Sequence, residues 1–218
     1  MLAANYEWMR SNYPGAIALA VEALEKAQSN GLKNQIPQIY ATIGNLHKEN
    51  ENYETALAAA EKGIEAAREI RDTSQLIYLL RVKAMFTHSF GMLKSDDSIR
   101  AHSLRLHMEG LELAESSPAY ERSRIAYYDN ISQYYKINGD YERGIAYGNR
   151  GAELAKKYNQ RRSLTYAYNW LGESYFYQGQ RERGIAYLLQ ALGIARELQS
   201  GYRTMEIHCS LYECVSAR

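Results

Sequence analysis

The sequence predicts an all-α fold, a solenoid of antiparallel helix pairs with five repeats plus a terminal half-repeat. A motif of aromatic and small residues over Tyr168–Ala186 recurs forty residues earlier and again in the second repeat. Apolar residues follow helical spacing, and the period-two alternation of strands is absent. A period of this size is typical of stacked helical arrays. The pattern therefore indicates an extended surface rather than a single pocket.

The repeats are expected to form a single domain over residues 1–218. Its units are predicted at residues 1–31, 32–72, 73–116, 117–158 and 159–199, with a half-unit at 200–218. Because solenoids need polar caps and the half-unit lacks its second helix, the chain is expected to be a fragment of a longer one.

Each helix is predicted from apolar residues on one face and turn residues at its ends. The first two units contain helices at 3–10, 14–30, 35–49 and 53–71. The last units contain helices at 118–137, 141–158, 162–177, 180–198 and 202–217. The three prolines fall at or near helix starts, where a missing N–H costs little.

The third unit is about seven residues longer than its neighbours. Helices are predicted at 75–88 and 98–115, with the excess in a loop around His88–Asp97. Asp97 or Ser98 is expected to cap the second helix.

Small residues recur at equivalent positions of successive repeats, and this pattern predicts that the helices cross closely there. The first helices carry Gly44, Ser132 and Gly172, and the second helices carry Ala16, Ala56, Gly144 and Gly184. A glycine inside a helix costs about 1 kcal/mol relative to alanine, so its recurrence indicates that close packing offsets this cost. A further crossing is predicted at Gly63, Gly110, Gly151 and Ala191. The large side chains of Tyr40, Tyr128 and Tyr168 are expected to pack against all of these small residues.

The fifth repeat carries Tyr168, Leu171-Gly172, Tyr175 and Gly179, and the fourth carries Tyr128, Ile131-Ser132, Tyr135 and Gly139. This order of a large residue, a Leu-Gly pair, an aromatic residue and a turn glycine resembles the tetratricopeptide repeat family. The forty-residue period is similar to the longer form in bacterial signalling proteins and kinesin light chains. The resemblance implies a right-handed superhelix whose first helices line a concave groove.

Composition and charge exclude several classes of function. Lys+Arg 26 against Asp+Glu 25 gives a net charge of +1, so no overall field would attract nucleic acid or an anionic membrane. No apolar run is long enough to span a bilayer. Cys209 and Cys214 lie five residues apart, which disfavours a disulfide within one helix. A cytoplasmic protein with reduced thiols is expected.

No catalytic, cofactor or metal motif is present, so the chain is not expected to be an enzyme, and no cofactor is expected. The basic pairs Lys156-Lys157 and Arg161-Arg162 have two interpretations. They complement helix dipoles, or they contact an acidic peptide or phosphate.

Polar and aromatic residues on the first helices are the candidate binding residues. The resemblance places on the groove Asn45, Lys48, Asp129, Gln133, Lys136, Tyr166, Asn169, Glu173, Phe176 and Glu213. Amide side chains can bond a peptide backbone in either direction, and aromatic rings supply anchors. An ordinary solvated face is the alternative.

The first hypothesis is a scaffold that binds a peptide or partner protein, as the sensory or regulatory region of a larger bacterial signalling or transcription-regulatory protein. The alternative is a stand-alone adaptor that forms homodimers through its C-terminal helix. The apolar flank expected at that interface comprises Ile207, Leu211 and Val215.

Overall fold

The computed structural model describes residues 2–216, without the side chains of Leu2, Ala3 and Asn5, and over this range it contains helices and no strands. The predicted fold class is confirmed, because consecutive helices pack in pairs. The helices are α1 (Leu2–Met9), α2 (Tyr13–Ser29), α3 (Ile36–Glu49), α4 (Tyr53–Glu69), α5 (Thr73–Lys94), α6 (Asp97–Glu115), α7 (Arg124–Ile137), α8 (Tyr141–Lys157), α9 (Arg161–Tyr177), α10 (Arg181–Glu197) and α11 (Gly201–Ser216). Short 3₁₀ segments, Lys33–Gln35 and Pro118–Ser123, precede α3 and α7.

The chain forms two compact units, Met1–Leu113 and Ala114–Arg218. The core of the first unit includes Ile39, Ile43 and Ile64, and that of the second includes Leu171, Leu188 and Ile207. The two units do not decide whether residues 1–218 form a single domain, so that expectation stays a prediction. No helix within residues 2–216 has both the length and the apolar character needed to cross a membrane.

Asparagine and aspartate side chains begin several of the helices. Asn12, Asn52, Asp72 and Asp140 each accept a hydrogen bond from the backbone N–H three residues later. This is the usual N-cap bond, and it satisfies a donor that has no partner inside the helix. At α6 the cap is Asp96, which accepts from Ser98 and Ile99, so the expected cap at Asp97 or Ser98 is wrong by one or two positions.

The third repeat departs from its prediction. The stretch from His88 to Lys94, expected as part of a loop, continues α5 as helix, and only Ser95 and Asp96 separate α5 from α6. The extra length is therefore about two helical turns. Gly91 lies inside this extension, where a Cβ would come within 2.8 Å of the Arg100 Cγ on α6.

The paired helices approach most closely at the predicted small residues. A Cβ at Gly172 would lie 3.0 Å from the carbonyl oxygen of Gly184, and one at Gly44 would lie 3.2 Å from that of Ala56. In the fourth repeat, the Ser132 hydroxyl donates to the Gly144 carbonyl oxygen at 2.8 Å. These glycines mark helix crossings, as predicted.

Tyrosine rings fill the space beside these crossings. The Cβ atoms of Tyr40 and Tyr128 pack on Gly63 and Gly151, which confirms their predicted place against small residues. Tyr135 stacks on Tyr147 with ring centroids 5.8 Å apart, and the equivalent pair forty residues later, Tyr175 and Tyr187, stacks at 5.5 Å. The tyrosine-rich composition is therefore a repeated packing device of α7–α10.

The last helix, α11, packs one face on the core of the second unit. Ile207 is fully buried in that core and Leu211 is partly buried against it, whereas Val215 is 70% exposed. The prediction that Ile207 belongs to an exposed apolar flank is therefore wrong, because this residue faces the core.

Replacing Gly184 by alanine tests the close crossing. Its Cβ would lie 2.6 Å from the Gly172 carbonyl oxygen and 2.7 Å from the Phe176 nitrogen, both backbone atoms that cannot move aside. We expect Gly184→Ala to lower the free energy of unfolding by about 1–3 kcal/mol.

The matched control is Gly193→Ala on the same helix, where no atom lies within 4 Å of the added Cβ. This change should raise stability by up to about 1 kcal/mol through helix propensity. Urea denaturation of both variants gives the comparison, and equal effects would contradict the packing argument.

Candidate functional site

A partly buried carboxylate joins three helices of the second unit. Glu173 on α9 accepts from Lys136 Nζ on α7 at 2.5 Å, and its other oxygen accepts from Asn169 Nδ2 at 3.0 Å and Ser210 Oγ on α11 at 2.7 Å. The side chains of Lys136 and Glu173 are 16% and 12% exposed. These four residues, the Glu173 cluster, lie where α7, α9 and α11 run side by side.

The cluster has an aromatic wall. Lys136 Nζ lies 4.8 Å from the centre of the Trp170 ring, which is itself buried. The ammonium group is thus held by a carboxylate and by the face of an indole. Neither Trp170 nor Ser210 was among the predicted site residues. The forty-residue period gave no signal for Ser210, because Lys136, Glu173 and Ser210 are separated by steps of 37 residues.

Asn169 brings an unused acceptor to this cluster. The residue is 2% exposed, and although its nitrogen donates to Glu173, its Oδ1 has no hydrogen-bond partner among the described residues. A buried polar atom without a partner costs about 1–3 kcal/mol, so such atoms are rare unless a ligand or water bonds them.

Asp129 on α7 also has a side-chain oxygen without a hydrogen-bond partner among the described residues. The residue is 8% exposed, and this oxygen, Oδ1, packs against Gly151. Burial raises the pKa of the Asp129 carboxyl well above its ordinary value. Burial thus favours the protonated form of the carboxyl, which can donate as well as accept a hydrogen bond.

Gln133 and Tyr166 are more accessible than their neighbours. Gln133, one turn after Asp129, is half-buried. Tyr166 lies beneath the guanidinium of Arg203, which also pairs with Glu206. Both Tyr166 and Arg203 line a cavity of about 230 Å³ between α9, α10 and α11.

The remaining predicted residues of this unit behave differently. Phe176 is 5% exposed and packs in the core, so it is not presented as an anchor, which corrects its predicted role. Glu213 is exposed. Beside it, burial raises the pKa of the Cys214 thiol to about 11, with smaller contributions from Glu173 and Glu213.

The predicted residues of the first unit form a separate, weaker set. Lys48 pairs with Glu49 at 2.9 Å, and both side chains remain about one-third exposed. Asn45 is half-buried on the same helix, α3. Their participation in a groove stays a prediction.

The two basic pairs have local partners. Lys157 pairs with Glu121, and Arg161 pairs with Glu197. Lys33 and Glu69 form an equivalent exposed pair in the second repeat. All three ion pairs join the start of one repeat to its end, and both interpretations of the basic pairs stay predictions. Within residues 2–216, no three His, Cys, Asp or Glu side chains are grouped as metal ligands.

A model of the tetratricopeptide repeat family matches residues 37–70 and 165–198. These segments are tetratricopeptide repeats, which confirms the resemblance seen in the sequence. The second match contains Asn169, Trp170 and Glu173. No curated protein sequence matches the chain.

Solved structures share the fold at low sequence identity. A Rap protein complexed with competence and sporulation factor has a TM-score of 0.75 at 14% identity, over 97% of this chain and 60% of that one. A signal transduction ATPase (STAND protein) with a tetratricopeptide repeat sensor, from Pyrococcus horikoshii, has a TM-score of 0.73 at 19% identity, over 95% and 30%.

The Rap conjugation gene regulator of plasmid pLS20, in complex with the Phr* peptide, has a TM-score of 0.70 at 16% identity, over 94% of this chain and 55% of that one. At these identities the likeness establishes the fold alone. The chain spans between 30% and 60% of the length of these three proteins.

Removing the cation of the Glu173 cluster should destabilise the second unit. Lys136→Met leaves the Glu173 carboxylate largely buried with only two neutral donors, and we expect a loss of about 2–4 kcal/mol in the free energy of unfolding. Adding Glu173→Gln should recover part of this loss, which a double-mutant cycle measures. Lys26→Met, in an exposed pair, is the control and should leave the unfolding midpoint unchanged.

Asp129 should make stability depend on pH. Its pKa is raised in the folded state, whereas the unfolded value is about 3.9. As pH rises above about 4, the unfolded chain loses this proton while the folded chain keeps it, so stability falls. The gain in stability from Asp129→Asn should therefore be larger at pH 7 than at pH 4 in urea denaturation. A gain independent of pH would contradict the assignment.

Proposed function

We propose that this tetratricopeptide-repeat chain is a scaffold that binds an extended peptide segment on the face formed by α7, α9 and α11. We further propose that it acts as the sensory or regulatory region of a larger bacterial signalling or transcription-regulatory protein. A partner protein would present the segment, or a free peptide would supply it. No catalytic step is assigned to these residues.

The observation that carries the proposal is the unpaired Oδ1 of Asn169, buried beside the Glu173 cluster. A peptide N–H is a donor of the right kind for this acceptor. The unpaired Asp129 oxygen packs against Gly151 of α8, so the polar group that α7 adds to the face is the Gln133 amide, one turn after Asp129. Acceptors and donors on neighbouring helices suit a backbone whose N–H and C=O groups alternate.

In this proposal the ion pair of Lys136 and Glu173 positions the neighbouring polar groups and does not itself bind a charged ligand. Lys136 and Glu173 neutralise each other, so the face has no strong preference for an anionic carboxylate terminus. The polar groups there bond a backbone rather than a single charge, and Tyr166 supplies an aromatic surface nearby. Specificity would then come from side-chain contacts along the face.

The comparisons support the regulatory part of the proposal by analogy of fold. One similar structure is a gene regulator in complex with a peptide, and another is an ATPase in which the tetratricopeptide repeats are the sensor. This chain covers 55% and 30% of those proteins, which carry further chain beyond the matched part. We propose the same arrangement here: a repeat array senses a peptide, and an adjoining segment of the chain provides the output.

Selection from a phage-displayed library of random heptapeptides tests the binding site. Enriched peptides should bind the wild-type chain, as measured by fluorescence anisotropy. Asn169→Ala combined with Tyr166→Ala should weaken binding at least tenfold, because it removes the buried acceptor and the aromatic surface. Gln133→Ala, a milder change at a half-buried position, should also weaken it.

Asn149→Ala on α8 is the matched control, since Asn149 is half-buried on a second helix and lies outside the proposed face. Its affinity should equal that of the wild type. Circular dichroism of each variant establishes that it is folded. Enriched peptides that bind Gln133→Ala and the double variant as tightly as the wild type would refute the proposed site.

A further inference from the structure

The outward face of α11 is a row of exposed apolar side chains. Tyr202 is 68% exposed, Met205 61% and Tyr212 75%, and Cys209 between them is also exposed. The opposite face carries Ile207, Ser210 and Cys214, all of them buried in the second unit. The helix is therefore held firmly on one side and is apolar on the other.

The exposed residues follow the spacing of a coiled-coil seam. Tyr202, Met205, Cys209 and Tyr212 are separated by three, four and three residues, which are the a and d positions of a heptad. Ile207 and Cys214 then fall at f positions, directly opposite the seam, and this agrees with their burial. No charged residue interrupts the four seam positions.

We propose that this seam is a homodimer interface, in which α11 packs antiparallel on α11 of a second copy. A two-fold axis near residue 207 places Tyr202 opposite Tyr212 of the second copy and Met205 opposite its Cys209. All four seam positions then face apolar partners, so the surface is complementary to itself, as a two-fold interface requires. This inference does not rest on the peptide-binding proposal, although Tyr202 also lines the cavity beside Tyr166.

The area of the seam fits a second copy. With roughly 150–250 Å² for each fully buried aromatic side chain, the exposed parts of two tyrosines and of the residues between them offer about 500 Å² per copy. Two copies would bury about 1,000 Å², which is near the lower limit for specific protein interfaces. A reversible dimer is expected.

The interface differs from the flank predicted from the sequence. That prediction relied on Ile207, which is buried, and on Leu211, which is partly buried. Val215, at 70% exposure, lies at the edge of the new seam rather than at its centre.

Sedimentation equilibrium of the 218-residue chain tests the dimer. We expect a concentration-dependent dimer for the wild type and a monomer for Tyr212→Glu, which buries a charge in the seam. Leu189→Glu is the matched control, because Leu189 is an apolar residue of α10, 54% exposed, and is not one of the seam positions. A wild type that stays monomeric at about 100 μM, or a Tyr212→Glu variant that still dimerises, would overturn the proposal.

A disulfide test fixes the register. In Met205→Cys, the introduced thiol faces Cys209 of the second copy, within the Cα separation of about 4.4–6.8 Å that a disulfide needs. Mild oxidation should give a covalent dimer. The wild type should give little, since its two Cys209 residues are offset by about 6 Å along the helices.

Met85→Cys is the control for random collision, because Met85 is exposed on α5 of the first unit and far from the seam in sequence. It should remain monomeric on non-reducing gels. Equal crosslinking of Met85→Cys and Met205→Cys would reject the antiparallel register. Cys214 is buried and does not contribute to the signal.

Discussion

The rest of the structure depends on the close approach of paired helices at small residues. At the crossing of α9 and α10, a Cβ on Gly184 would lie only 2.6 Å from the Gly172 carbonyl oxygen, and one on Gly172 would lie 3.0 Å from that of Gly184. The same crossing recurs at Ser132 and Gly144, again twelve residues apart. Because a close crossing allows few rotations of the helices about their axes, it determines which side chains of each first helix face the neighbouring first helix. Equivalent positions of α7 and α9 therefore point the same way.

This alignment explains why polar residues meet in the interior of the second unit, and their energetics suggest why they are there. A buried ion pair such as Lys136 and Glu173 is on average no more stabilising than well-packed apolar side chains of the same size. The unpaired oxygen of Asn169 adds a cost without any gain within the described residues. A repeat selected only for stability would carry aliphatic residues at these positions, as it does at Leu171. The cost is consistent with a face that bonds something else, which is the reasoning behind the peptide proposal.

Helix order and helix crossings could be predicted because periodicity and recurring glycines directly report which face is buried. The limits of the prediction have physical reasons. Glycine is common in turns, but Gly91 lies inside α5, where its missing side chain leaves room for Arg100 of α6. The sequence alone does not distinguish these two uses of glycine. Phe176 occupies a position that the repeat pattern assigns to the groove, yet its side chain is buried in the core, and its backbone nitrogen and Cβ lie against Gly184. The positions of Lys136, Asn169 and Glu173 were predicted, whereas their mutual bonds and the contribution of Ser210 depend on distances between helices.

Helix α11 takes part in both proposals through different faces. Ser210 points inward and donates to Glu173, while Tyr212 points outward at 75% exposure, and two residues along a helix turn the side chain by about 200°. A charge at Tyr212 therefore alters the seam without touching the Glu173 cluster, and a change at Asn169 alters the cluster without touching the seam. Because the helix is anchored by Ile207 and Cys214 in the core, the inner and outer surfaces are held in a fixed relation. The peptide face and the dimer seam can therefore be separated by mutation, although one rigid helix carries residues of both.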